Sequence, residues 1–139
     1  MGDASGPRVL VVDDASLVRL YYREILEAAG FSVDEALNGI EALETLLARN
    51  VDLLIVDVNM PRMDGMTFLR ALRRQPLPLG ATPAIMASTE AGPQDISAAT
   101  EAGANAYLIK PVSAETLTAY ALALTGDHLP SGERALNRE

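Results

Sequence analysis

The chain has no cysteine, so disulfides, thiolate metal sites and a cysteine nucleophile are all excluded. It has a single histidine, His128, in a polar stretch near the C-terminus. Neither a histidine-based catalytic centre nor a multi-histidine metal site can be built from it. Basic residues are scarce, 11 against 19 acidic, for a net charge of −8. That balance argues against a phosphate-backbone binder and for a soluble protein with, if anything, a basic partner. No apolar run approaches the roughly 18 residues of a membrane span. Met1 to Pro7 is small and polar, without the apolar centre of a signal peptide. The expectation is a cytoplasmic protein with no membrane or nucleic-acid partner.

Apolar residues are plentiful, 49% of 139, enough for about one domain with a real core. The stretch Val51-Asp52-Leu53-Leu54-Ile55-Val56-Asp57 opens as a run typical of a strand buried on both faces and then stops on an acid. An unpaired charge there is costly. The carboxyl end of a central parallel strand is also where open α/β sheets hold ligands. Taken alone, the segment fits an acid capping a turn equally well. Asn59, Pro61 and Asp64-Gly65 mark a loop, with Asp64-Gly65 as a turn and helix start.

Residues 8–12 form another β-branched run, followed at once by Asp13-Asp14. A helical period comes next, with Leu17, Leu20, Tyr21, Ile25 and Ala28 on one face and Gly30 as its stop. Residues 31–36 read as a strand. Asn38 opens a helix with Ile40, Leu43 and Leu47 on its apolar side. After the Asp57 strand, a helix from about Met66 to Arg74 carries Phe68, Leu69 and Leu72; Arg73-Arg74 reads as its solvated end. Met60, Met63 and Met66 read as packing under a loop. The proline-rich 75–83 segment is a connection. Residues 84–87 are a short strand with Ser88 and Thr89 at its end. An Ala-rich helix runs from Gly92-Pro93 to about Gly103, and residues 106–109 form a fifth strand ending at Lys110-Pro111. Ser113 caps a last helix with Leu117, Ala121 and Leu124 inward. Five strands alternating with five helices predict a parallel sheet covered on both faces. The domain spans residues 8–125, between an N-terminal tail, 1–7, and a polar C-terminal tail, 126–139.

In such a sheet every carboxyl end points the same way. Asp13, Asp14, Asp57, Ser88, Thr89 and Lys110 therefore converge on one edge. Clustered carboxylates repel, and a hard divalent cation with oxygen ligands relieves that; Mg²⁺ prefers one or two carboxylates plus water and phosphate oxygens. Lys110 adds a point charge that suits an acid or a phosphate. Together these are the parts of a phosphoryl-transfer site: a carboxylate nucleophile at Asp57, a metal, a cation and a hydroxyl.

Four pieces of the chain, in order, are Val11-Val12-Asp13-Asp14, Ile55 through Gly65 (Ile-Val-Asp-Val-Asn-Met-Pro-Arg-Met-Asp-Gly), Met86-Ala87-Ser88 and Tyr107-Leu108-Ile109-Lys110-Pro111. In sequence and spacing the chain resembles the receiver domain of a bacterial two-component response regulator, of the single-domain chemotaxis type. The resemblance implies a flavodoxin-like, doubly wound sheet of order 2-1-3-4-5. It implies Asp57 as phosphoacceptor. Mg²⁺, with Mn²⁺ as the substitute, would be held by Asp14, Asp57 and the backbone carbonyl of Asn59, with Asp13 acting through water. Lys110 would contact the phosphoryl group, Ser88 would bond to it and move toward it, and Tyr107 would change rotamer with that movement. A cis Lys110-Pro111 bond is also implied. Tyr107 fits a plain half-buried strand aromatic as well, and Asn59 and Glu90, which flank the phosphoryl position in the family, fit ordinary loop residues. Val112 departs from the family, which very often has Phe there.

The expected partners are a sensor histidine kinase or a histidine phosphotransfer protein, and a downstream target on the face of the fourth helix, fifth strand and fifth helix. The expected function is phosphorylation-dependent protein binding, with no enzyme activity beyond self-phosphorylation and autodephosphorylation. Alternatives are a phosphorelay shuttle or phosphate sink, or a receiver-like scaffold that works unphosphorylated. Haloacid dehalogenase-like phosphatases also use an Asp nucleophile, but place a second acid two positions later. Here Asn59 follows Asp57 at that distance, and Ala15 follows Asp13.

Overall fold

A computed structural model describes residues 6–126. His128 and nearly all of the 126–139 tail lie outside the described residues. Strands β1 (Arg8–Val12), β2 (Ser32–Ala36), β3 (Leu53–Asp57), β4 (Ala84–Ser88) and β5 (Ala106–Ile109) alternate with helices α1 (Ser16–Ala28), α2 (Gly39–Ala48), α3 (Gly65–Arg73), α4 (Pro93–Ala102) and α5 (Ala114–Leu124). A short 3₁₀ turn, Leu79–Ala81, interrupts the proline-rich connection. All strand pairs are parallel, in the order β2-β1-β3-β4-β5, as the resemblance implied. The β-branched runs become the strands, and β3 and β4 are buried along their whole length.

Two apolar layers cover the sheet. On one face Val9, Val11, Leu53, Ile55, Ile85 and Leu108 meet α1 and α5. On the other, Leu10, Val12, Leu54, Val56, Ala84 and Met86 meet α2, α3 and α4. Successive side chains on a strand alternate faces, so each strand feeds both layers.

Helix starts follow the sequence closely. Asn38, Asp64 and Ser113 each accept a backbone N–H from their own first turn, satisfying donors that have no partner inside the helix. Gly65 starts α3 against the end of β3: a Cβ there would collide with the Asp57 carbonyl oxygen. Its amide bonds the Val58 carbonyl at 2.9 Å. This closes the loop after Asp57 into a short return.

The apolar faces of two helices differ from the sequence expectation. On α1, Tyr22 and Leu26 are buried, with Val18 and Ile25 beside them, while Leu17 is 78% exposed and Leu20 and Tyr21 are also exposed. Successive residues are offset by about 100°, so apolar side chains spread well past the inward face of this helix, while Arg19, Arg23 and Glu27 keep one side polar. On α2 the inward row is Gly39, Ala42 and Leu46, with Leu43 partly buried, and Leu47 is 73% exposed. The reason is close approach. A Cβ on Gly39 would lie 2.8 Å from Met63 and 2.9 Å from Phe68, so small residues rather than Ile40 and Leu47 face the neighbouring loop and helix.

Candidate functional site

The alternation that builds the two layers also sorts the polar residues at the carboxyl edge. Val9 and Val11 face the α1/α5 layer, and Asp13 is the next position of that row. Leu53 and Ile55 lead likewise to Asp57, and Leu108 leads to Lys110. On the other face Ala84 and Met86 lead to Ser88, and Tyr107 packs against the same cluster. Charge is thus collected on one face and hydroxyls on the other.

On the charged face the Lys110 ammonium donates to Asp57 Oδ1 at 2.9 Å and to Asp13 Oδ2 at 3.0 Å. Asp13 is 2% exposed and Asp57 7%. Carboxylate oxygens of Asp13, Asp14 and Asp57 lie within 4.8 Å of one another. Burial pushes the Asp57 carboxyl above its ordinary pKa; the Lys110 hydrogen bond opposes this, and the neighbouring acids reinforce it. Burial would lower the Lys110 pKa, but its bonds to Asp57 and Asp13 outweigh that and hold it above the usual lysine value. The Lys110-Pro111 peptide is cis.

The acidic loop is fixed from below. Asp13 Oδ1 accepts the Ala15 amide at 2.9 Å, and the Asp13 carbonyl accepts from the Arg19 guanidinium at 2.7 Å. Arg19 in turn pairs with Glu35 at 2.7 Å, so β2 braces the turn that presents Asp13. Tyr21, exposed on α1, donates its hydroxyl to the Val112 carbonyl at 2.7 Å, tying α1 to the segment after Lys110-Pro111.

On the hydroxyl face, Ser88 and Tyr107 hold the backbone of the same residue, Glu90. The Glu90 amide donates to Ser88 Oγ at 3.0 Å. The Tyr107 hydroxyl donates to the Glu90 carbonyl at 2.7 Å. Thr89 is exposed, as are Asn59 and the Glu90 side chain. Among the described residues nothing donates to the Asn59 carbonyl.

The donor set fits a hard divalent cation: it is all oxygen, the carboxylates converge, and Asp14 is open to solvent for water ligands. A cleft of about 550 Å³, lined by Pro7, Asp52, Pro78, Thr82 and Leu124 among others, lies at the opposite edge of the sheet and shares no residue with this cluster.

Three residues escaped the sequence reading. Arg19 carried no spacing signal toward the acids, because its contact is to a backbone carbonyl. Tyr22 lay outside the apolar row that the sequence assigned to α1. Arg73 was read as a solvated helix end, but its guanidinium is half-buried and donates to the carbonyls of Gly80 at 3.1 Å, Thr82 at 2.7 Å and Gly103 at 2.8 Å. It binds the end of α3 to the 3₁₀ turn and to the C-terminal end of α4.

Residues 9–122 match the family model of the response regulator receiver domain. The chain is 38% identical over 120 residues to the transcriptional regulatory protein PrrA of Mycobacterium leprae, covering 86% of this chain and 50% of that protein. It spans half or less of the length of the curated relatives it matches. Among solved structures it resembles the chemotaxis protein CheY4 of Vibrio cholerae, with a TM-score of 0.80 and 35% identity over 86% of this chain and 98% of that one. It also resembles the signal receiver domain of a histidine kinase from Syntrophus aciditrophicus, with a TM-score of 0.82 and 30% identity over 91% and 96% of the two chains. Among the described residues no helix is long and apolar enough to cross a membrane. The sheet order, the three converging acids with their lysine and the match across residues 9–122 agree: the chain belongs to the response regulator receiver domain family and is CheY-like.

Proposed function

We propose that Asp57 accepts a phosphoryl group from a phosphohistidine on a sensor histidine kinase or histidine phosphotransfer protein. An Asp57 carboxylate oxygen attacks phosphorus in line, the donor's P–N bond breaks, and the imidazole, protonated on its other ring nitrogen, leaves neutral with the bonding pair. The product is an acyl phosphate on Asp57. The observation that carries this reading is the Lys110 ammonium held 2.9 Å from Asp57 Oδ1 and 3.0 Å from Asp13 Oδ2. It is a fixed cation at the place where negative charge builds on the transferring group. Asp14, Asp57 and the Asn59 carbonyl would hold Mg²⁺, with Asp13 acting through water; Mn²⁺ has the same ligand preference. When bound, the metal supplies charge neutralisation at the phosphoryl oxygens. Ser88, at the adjacent strand end, offers a hydroxyl to the new group in place of its contact with the Glu90 amide.

Incubation with acetyl phosphate and Mg²⁺, followed by intact mass, tests the proposal. Wild type is expected to gain one phosphoryl group and Asp57→Ala none. Equal gain by both proteins overturns it.

The output is protein binding through the α4-β5-α5 face. Supporting this are exposed apolar side chains on all three elements, Ile96, Ile109 and Tyr120, and the hold of Ser88 and Tyr107 on the loop that enters α4. A modification that draws Ser88 away releases one side of that hold, and a small free energy then shifts the population of the loop. Capture of a target only with a phosphate mimic bound fits this output. Rapid phosphoryl exchange with no other capture fits a relay or sink, and capture indifferent to Asp57→Ala fits a scaffold.

A further inference from the structure

Tyr22 lies on α1, in the layer whose strand rows end in Asp13, Asp57 and Lys110, and is 3% exposed. Its ring packs in one cluster with Val11, two residues before Asp13, and with Leu108 and Val112, which bracket Lys110. Among the described residues its hydroxyl has no hydrogen-bond partner. A buried hydroxyl without a partner costs free energy that phenylalanine would avoid, so its presence calls for a physical account. Lys110 supplies the complement. Its ammonium has three N–H donors, and two are used, on Asp57 and Asp13. The Tyr22 phenol is held at about 12, mainly by burial, with Lys110 pulling it down and Asp13 and Asp57 pushing it up. Tyr22 and these three groups share the α1/α5 face of the sheet.

We infer that Tyr22 is a positioning residue for Lys110, its hydroxyl oxygen accepting the third ammonium N–H through one buried water while the other two hold Asp57 and Asp13. The inference rests on the phosphoacceptor reading for its use in catalysis, but the contact itself does not. An ammonium without a third acceptor loses orientation just as charge develops on the transferring group. A phenol fixed by its ring in a packed layer supplies that acceptor with little entropy cost.

Tyr22→Phe keeps the ring and the packing and removes only the oxygen. The expected result is phosphorylation by acetyl phosphate at saturating Mg²⁺ slowed by about three- to ten-fold, as a loss in maximal rate and not in half-saturating donor concentration. Thermal stability should be unchanged or higher. In the unphosphorylated protein at fixed pH, the ¹⁵Nζ resonance of Lys110 should shift and its ammonium gain mobility. Wild-type rate with an unmoved Lys110 resonance overturns the inference. If neither protein is phosphorylated, the phosphoacceptor reading falls while the Lys110 resonance still decides the contact: a shift supports it and no shift removes it. Tyr22→Leu, which lacks ring and oxygen, separates packing from polarity; a resonance change in Leu alone, with Phe like wild type, also overturns the inference.

Discussion

The two faces of the sheet treat the same edge differently. On the α1/α5 face, Asp13, Asp57 and Lys110 form a charged knot in which one cation serves several acids. On the α2-α3-α4 face, Ser88 and Tyr107 make neutral hydrogen bonds to the amide and the carbonyl of Glu90, one on each side of its Cα. A knot of unequal charge responds strongly to any added charge, because it sits in a poorly solvated place. Neutral bonds at a loop respond weakly, and each is worth about 1 kcal/mol net. Under the proposed function the first face receives a charge, and the second is held weakly enough to be reset by it.

Removing the cation should have the largest effect. Lys110→Met leaves three clustered acids, one of them 2% exposed, with no compensating charge. Breaking a buried pair on one side costs about 3 kcal/mol or more, so urea unfolding should show a loss of that order. Mg²⁺ should stabilise the variant more than wild type, by replacing the missing charge. A loss below roughly 1 kcal/mol would mean that the knot is solvated like a surface ion pair, and the contrast between the faces would fail.

Removing one acid should act in the opposite direction. The folded-state pKa of Asp57 is raised, chiefly by burial, so the native state holds on to a proton that the unfolded state has already released. Stability therefore falls as pH rises from the ordinary carboxylate range through the folded pKa. Asp57→Asn removes this penalty. At neutral pH its Tm should rise, each 1 kcal/mol recovered being worth about 3–6 °C in a domain of this size. The gain should vanish as pH drops below the ordinary carboxylate range, where Asp57 is neutral in both states. Glu35 behaves in the reverse sense. Bonds from Arg19 and then Arg23 lower its pKa, so its contribution is present above the ordinary carboxylate range and is lost as pH falls through the folded value. A Tm gain for Asn that persists in acid would show that packing, not charge, sets the effect.

How far the sequence predicted this edge follows from the same contrast. Asp13, Asp57, Ser88 and Lys110 were legible because strand ends are punctuated by polar residues and a parallel sheet aligns its carboxyl ends. The starts of α2, α3 and α5 were legible because Asn38, Asp64 and Ser113 act within one turn of themselves. The inward faces of α1 and α2 were not. Apolar residues on α1 spread well past its inward face, and on α2 close packing at Gly39 outweighs the hydrophobicity of Ile40 and Leu47. The partners of Arg19, Arg73 and Tyr107 include backbone groups distant in sequence, and backbone acceptors have no residue identity for a pattern to register.

The smallest effect should come from Tyr107, and it would refine the picture of α4. The ring packs against the α2-α3-α4 core, and Tyr107→Phe preserves that while deleting the bond to the Glu90 carbonyl. Global stability should fall by only about 0.5–1 kcal/mol. The local consequence should be graded along α4, because its two ends are held differently. The C-terminal end is clamped by Arg73, whose guanidinium donates to the Gly103 carbonyl at 3.0 and 2.8 Å. The N-terminal end depends on the Glu90 peptide. Amide exchange should therefore quicken from Glu90 through the first turn of α4 and stay unchanged at Gly103 and Ala104, whose amides bond back to Ala99. Combining the change with Ser88→Ala should give less than the sum of the two losses, since both side chains hold the backbone of one residue and its second release costs less than its first. Strict additivity, or faster exchange along the whole of α4, would mean that the helix moves as one body and that Glu90 is not the point at which the two faces communicate.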